Sequence, residues 1–220
     1  MKRLVLATTF LAAPLLGSMI SAHATPMLAG YLSSGGNTSP TITSSNGTLS
    51  YNGSFDNFNV VFENAFTSGT LYSPAIDLSS GDRTAAAGSL TIALTEYDLT
   101  EPFGITTIAG YLSQTPLSPS LSSISYSVYA DATNTAFGMG SLIGSQTIAG
   151  NSTTPISFSS PFDITGPYSI TEILTITAPS GGANDSIDSS VSVPEPGSLA
   201  LLGTGLVALG LLIRKRQKRG

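Results

Sequence analysis

Between residues 25 and 193, apolar and polar side chains alternate with a period of two in short segments, the pattern of strands with one buried face. Residues 89–97 place Leu90, Ile92 and Leu94 on one face and Thr91, Ala93 and Thr95 on the other. Residues 122–129 set Ile124, Tyr126 and Val128 inward against Ser123, Ser125 and Ser127, and residues 168–177 do the same with Ile170, Leu174 and Ile176. Asn52-Gly53, between Leu49-Ser50-Tyr51 and Ser54-Phe55, is a type I′ hairpin signal. Further strands are expected near residues 27–32, 58–66, 144–148 and 155–158, and no stretch of this body carries a 3.6-residue apolar period. Many short strands, frequent turn signals and no alternating helices predict an all-β fold, an antiparallel β-sandwich of jelly-roll type. No linker interrupts residues 25–180, so one sandwich domain is expected there. Ala29-Gly30-Tyr31-Leu32-Ser33 recurs at residues 109–113, but the similarity does not extend outward and no repeat is inferred.

The two ends break the alternation. Residues 1–24 have the layout of a secretory signal peptide with an apolar signal helix: Lys2 and Arg3, an apolar run over residues 4–16, then Ala22-His23-Ala24. Ala22 and Ala24 are the small residues that signal peptidase reads, and cleavage after Ala24 leaves Thr25 first. Residues 181–192 are polar and read as either a final edge strand or a linker, with partial order followed by a short tether favoured. Residues 199–213 are uncharged and, as a transmembrane helix, would extend roughly 22 Å, short of the ~30 Å hydrocarbon core. Snorkelling side chains and local thinning of the bilayer can close that gap. Arg214, Lys215, Arg216, Lys218 and Arg219 form a basic tail over residues 214–220 that the positive-inside rule keeps cytoplasmic.

Val193-Pro194-Glu195-Pro196, the apolar run from Gly197-Ser198-Leu199 onward and Arg214-Lys215-Arg216 follow one another in order at the end of the sequence. This arrangement, residues 193–220, resembles the PEP-CTERM sorting signal of Gram-negative bacteria. The resemblance implies an exported protein, held in the inner membrane by its C-terminal helix, processed by exosortase and passed to the cell surface or extracellular matrix. It also implies association with exopolysaccharide or biofilm.

Charge changes the picture once the ends are set aside. Residues 25–193 hold one basic residue, Arg83, against twelve acids, a net charge of −11. Such a body repels nucleic acid and anionic membrane surfaces. Cysteine is absent, which removes disulfides, thiol catalysis and thiolate metal sites. The one histidine, His23, lies in the signal segment, and no lysine occurs in the body to deprotonate a serine.

Catalysis here would need paired carboxylates. Glu96, Asp98 and Glu101 cluster where a strand meets the loop holding Pro102, and parity puts Glu96 and Glu172 on the apolar side of their strands. The plainer reading places Glu96 at the sandwich rim and Glu172 beside a bulge or paired with Arg83. Calcium would use oxygen ligands; Asp56, Asn57, Asn59 and Glu63 form one acidic cluster and Asn184, Asp185 and Asp188 another, but neither has EF-hand spacing, so both read as solvated loop acids. Tyr31, Tyr51, Tyr72, Tyr97, Tyr111 and Tyr129 are the available sugar platforms, although core and cross-strand roles suit most of them. Asn46-Gly47-Thr48 and Asn151-Ser152-Thr153 read as turn chemistry. The expectation is a non-catalytic structural or adhesive body with no catalytic, cofactor or metal residue; a polysaccharide-binding module and a carboxylate-dependent hydrolase are the alternatives.

Overall fold

A computed structural model describes residues 26–67, 75–194 and 205. Among them the alternating segments form thirteen strands: β1 (Met27–Ser34), β2 (Asn37–Thr38), β3 (Ile42–Ser44), β4 (Thr48–Phe55), β5 (Phe58–Thr67), β6 (Ala75–Thr84), β7 (Gly88–Leu99), β8 (Gly104–Pro116), β9 (Ser123–Asp131), β10 (Ser141–Ala149), β11 (Ile156–Ile164), β12 (Tyr168–Ala178) and β13 (Ala183–Ser192). They make two antiparallel sheets. One runs β10-β9-β12-β7-β1-β2, with β3 also on β1; the other runs β11-β8-β13-β6-β5-β4. From β6 onward every connection changes sheet except that from β9 to β10.

Period-two alternation places the core. Leu90, Ile92 and Leu94 of β7, Ile124, Tyr126 and Val128 of β9, and Ile170, Leu174 and Ile176 of β12 are buried in one cluster with residues of the facing sheet. That second layer supplies Ile76 and Leu78 from β6, Ile108 and Leu112 from β8, and Ile187 and Val191 from β13. Burying these rows together removes their apolar surface from water, about 25 cal/mol per Å². With no disulfide available, the stability of the fold rests on that burial and on the ladder hydrogen bonds.

Three local expectations are corrected. The chain does not reverse at Asn52-Gly53: β4 runs through both, with Asn52 opposite Val61 and Gly53 opposite Val60. The reversal falls at Asp56-Asn57, where Phe55 faces Phe58 and Asp56 takes a φ of 51°. Asp tolerates the left-handed region, and Ser34 Oγ donates to its carboxylate at 2.8 Å. The longer hairpin buries Phe58, Val60 and Phe62 and stacks Tyr51 on Phe62 at 5.8 Å, which a turn four residues earlier would forgo.

Residues 181–192 are neither an edge strand nor a linker. β13 pairs with β6 on one side and β8 on the other, an interior position. Its inward residues are Ala183, Asp185, Ile187, Ser189 and Val191, all buried. Only two of these are large and apolar, so composition conceals a strand whose place depends on its neighbours.

The outward face of β7 is also covered, since Ala93 and Thr95 are buried although they point away from the facing sheet. Residues 132–140 cross there. Ser169 Oγ donates to Thr135 O at 2.7 Å, Asp98 and Asn134 exchange two hydrogen bonds, and Phe137 meets Tyr31 edge-on at 4.8 Å.

Candidate functional site

The recognisable end of the chain grows directly out of the core. β13 finishes at Ser192, opposite Ala109 of β8. Val193 continues inward and is fully buried, and Thr106 Oγ1 donates to Pro194 O at 3.3 Å. No free tether therefore separates the last strand from the Pro-Glu-Pro element. Glu195 and Pro196, the apolar run apart from Gly205, and the basic residues Arg214, Lys215, Arg216, Lys218 and Arg219 lie outside the described residues, as do Ala22 and Ala24 of the signal segment. Among the described residues no helix is long and apolar enough to cross a membrane.

The acids proposed for catalysis do not converge. Glu96 faces the core, where burial pushes its carboxyl up to about 8, and its Oε2 has no hydrogen-bond partner among the described residues. It is not at the rim, because β7 continues to Leu99 and β1 and β12 flank it with Leu28 and Ile170. Asp98 is bound instead to Asn134, with a φ of 62°. Glu101 lies in the β7–β8 loop, where its carbonyl accepts from Tyr168 Oη at 2.9 Å.

Glu172 is likewise in the core, and neither a bulge nor Arg83 explains it. Tyr126 Oη donates to its Oε2 at 3.1 Å and Ser189 Oγ at 3.3 Å. Burial outweighs these two hydroxyls and lifts the carboxyl to about 7. Arg83 points outward from β6, exposed, in a row with Asn59 of β5 and Asn184 of β13. Two shallow depressions flank it. One of about 280 Å³ is lined by Ser54, Asp56, Asn57 and Asn59; the other, of about 370 Å³, by Ser118, Pro119, Gly181 and Asn184.

Asp82 and Asp185 form a pair that sequence reasoning missed. They are register partners on β6 and β13, both facing inward and both buried. Side chains so placed lie roughly 4.5–5.5 Å apart at Cβ. Ser80 Oγ donates to Asp82 Oδ2 at 2.9 Å, whereas Asp82 Oδ1 and both oxygens of Asp185 lack partners among the described residues. Burial raises each carboxyl to about 7. The signal was parity: Asp82 is in phase with Ile76 and Leu78, and Asp185 with Ile187 and Val191.

Two carboxylates fall short of the six to eight oxygens calcium takes, and among the described residues no three acidic or histidine groups could share a metal. The proposed acidic clusters disperse. Asp56 caps a turn, and Asp185 faces inward while Asn184 and Asp188 face outward; the side chain of Glu63 lies outside the described set. Both Asn-x-Ser/Thr triplets act in turns: Asn46 Oδ1 accepts from Thr48 N, and Ser152 Oγ from Thr154 N.

Among the described residues no row of exposed tyrosines lines one face. Tyr31, Tyr97 and Tyr129 are half-buried on the outside of the seven-stranded sheet, Tyr51 packs on the core, and Tyr72 lies outside the described residues. Tyr111 alone among the described tyrosines is exposed, on the outside of the six-stranded sheet between Ser157 and Ser190.

Comparison with known proteins finds that the family model for the PEP-CTERM protein-sorting motif matches residues 192–217. The chain carries that motif, which marks it as an exported protein. Among curated proteins none matches the sequence. Solved structures with some likeness include TmCBM61 in complex with beta-1,4-galactotriose, at 8% identity and TM-score 0.35, covering 66% of this chain and 92% of that one. The K1 cleaved adhesin domain of Lys-gingipain from Porphyromonas gingivalis W83 has 12% identity and TM-score 0.34, covering 68% and 99%. The CBM22-1 xylan-binding domain of Paenibacillus barcinonensis Xyn10C has 11% identity and TM-score 0.32, covering 68% and 87%. Likeness at this level assigns no property to this chain.

Proposed function

We propose that this chain is a surface or matrix protein released by exosortase from an inner-membrane-anchored intermediate, and that its sandwich is a non-catalytic structural or adhesive body. The observation that carries the reading is the position of the sorting motif, which begins at residue 192, the last residue of an interior strand. Anything done to the tail is thereby done beside a completed domain. A jelly-roll arrangement of β6–β13 is part of the proposal; the orders β11-β8-β13-β6 and β10-β9-β12-β7, with sheet changes at every connection but one, support two interleaved Greek keys.

The absence of catalysis is supported by the dispersal of Glu96, Asp98 and Glu101, and by a body without histidine or lysine to serve as a base. The test is expression of the full chain in a host with and without exosortase. With the enzyme, the mature protein leaves the membrane and its mass shows loss of the segment beyond the Pro-Glu-Pro element; without it, the intact chain stays in the membrane fraction. Equal release in both hosts would overturn the reading.

A second reading, polysaccharide binding, is favoured by Tyr111, whose hydroxyl-bearing neighbours Ser157 and Ser190 leave its ring uncovered. It predicts that Tyr111→Ala abolishes retention of the protein by exopolysaccharide of the producing cell. Unchanged retention would leave the structural role.

A further inference from the structure

The strand directions bring two separate features to one end of the sandwich. Ser192 of β13 lies opposite Ala109 in the first half of β8, and Thr106 holds Pro194, so the chain leaves beside the start of β8. Tyr168, the first residue of β12, donates to Glu101 O in the β7–β8 loop. Ser169 pairs with Asp131 at the end of β9, and Ser141, the start of β10, pairs with Ala130. The starts of β8, β10 and β12 therefore share the end from which the sorting segment departs.

That end carries most of the exposed apolar surface. Among the described residues the exposed large hydrophobic side chains are Phe103 (52%), Ile105 (77%), Met139 (61%), Leu142 (55%), Tyr111 and Leu117. Phe103 sits on the β7–β8 loop, Ile105 at the start of β8, Met139 on the β9–β10 connection and Leu142 at the start of β10. The four thus ring the exit end, Ile105 from the outer side of the six-stranded sheet and Leu142, opposite Tyr129, from that of the seven-stranded sheet. Tyr111 is midway along β8 and Leu117 lies past its far end. Single exposed apolar residues need no explanation, but their concentration at one end does.

The sequence limits how far that end can be from the bilayer. Four residues, 195–198, separate Pro194 from the uncharged run that starts at Leu199. Fully extended, the link from Pro194 to Leu199 spans at most about 17–18 Å. The headgroup layer occupies about 5–8 Å of that on each side of the core. A tether this short turns contact with the surface into an intramolecular event, for which weak apolar contacts suffice.

We propose that the exit end is a membrane-docking face: Phe103, Ile105, Met139 and Leu142 settle into the headgroup layer of the bilayer that holds the tail. This rests on the reading that residues 199–213 anchor the chain. Docking orients the sandwich with its long axis away from the membrane and holds Val193 and Pro194 at the surface, where a membrane-embedded enzyme works. Exposed Asp163, opposite Ile105, and Glu101 in the neighbouring loop keep the contact shallow. With no lysine or arginine at this end, the surface it fits is zwitterionic rather than anionic lipid.

The absence of cysteine makes the test direct, since a single introduced thiol labels one position. Full-length Ile105→Cys, Met139→Cys and Leu117→Cys variants carry an environment-sensitive fluorophore and are reconstituted into phosphatidylcholine vesicles. Labels at 105 and 139 shift to the blue and are protected severalfold from an aqueous quencher; the label at 117 is not. Replacing half of the lipid by phosphatidylglycerol weakens the protection. If the chain floats with the vesicles but all three labels are quenched alike, docking is overturned while anchoring stands. If the chain does not float, both fall. Protection that needs co-reconstituted sorting enzyme overturns the lipid assignment and makes the face a protein interface.

Discussion

Tyr126 donates its hydroxyl to Glu172 at 3.1 Å, and Ser189 of the opposite sheet reaches the same carboxylate oxygen at 3.3 Å. Glu172 is thus a polar tie between the two sheets within an apolar core. Removing one donor leaves a buried carboxylate poorly satisfied, which costs about 1–3 kcal/mol. Tyr126→Phe should lower the urea midpoint of the full chain in detergent, and do so more at pH 8 than at pH 5, because the donor matters most to the ionised form. An equal effect at both pH values would argue that the hydroxyl acts through Ser190 O, 3.0 Å away, and not through Glu172.

The domain should be more stable in mild acid than in mild base. Burial raises Glu96 to about 8 and Glu172, Asp82 and Asp185 to about 7, all above the ordinary carboxyl values. Between the unfolded and folded values the folded state holds protons that the unfolded chain has released, so stability falls as pH rises through that window. Below about pH 4 the effect vanishes because both states are protonated. The unfolding temperature should therefore decline from pH 5 to pH 8; a rise over that range would contradict the burial of these acids.

Glu96 contributes to this decline without a hydrogen-bonding role that would justify it. Glu96→Met keeps the volume and removes the orphaned oxygen, and should stabilise by about 1–3 kcal/mol at pH 8 with less change at pH 5. Chemical unfolding at the two pH values checks it. Destabilisation at both would point to a partner that Glu96 serves.

Phe158 of β11 fits between Gly110 of β8 and Gly144 of β10. A Cβ at Gly144 would stand 2.2 Å from the ring and one at Gly110 2.5 Å. Gly144→Ala should cost about 1–3 kcal/mol by overpacking. Adding Phe158→Leu, which shortens the side chain, should recover part of that loss. A double-mutant cycle measures the coupling, and simple additivity would show that the ring can move aside.

Val193 stands both in the sorting motif and in the core. Val193→Ala should destabilise the domain by about 1–3 kcal/mol through the cavity it leaves. Thermal unfolding of the full chain checks this, and an unchanged midpoint would mean that the motif is not joined to the core as described.

What the sequence determined alone is whatever depends on local period and order. Alternation at Leu90-Ile92-Leu94, Ile124-Tyr126-Val128 and Ile170-Leu174-Ile176 identified strands and their inner faces, because a pleated backbone turns every second side chain the same way. The Pro-Glu-Pro element, apolar run and basic tail were legible because they are contiguous. Tertiary structure decided what depends on neighbours distant in the chain. β13 is interior only because β6 and β8 flank it, and Asp185 joins Asp82 only because register sets them opposite across about a hundred residues of sequence. The hairpin reversal moved to Asp56-Asn57 because Phe58, Val60 and Phe62 had a core to enter, a demand that outweighs the local preference of Asn52-Gly53. Parity could say that Glu96, Glu172, Asp82 and Asp185 pointed inward; only the packed sheets decided that, among the described residues, no positive charge would meet them there.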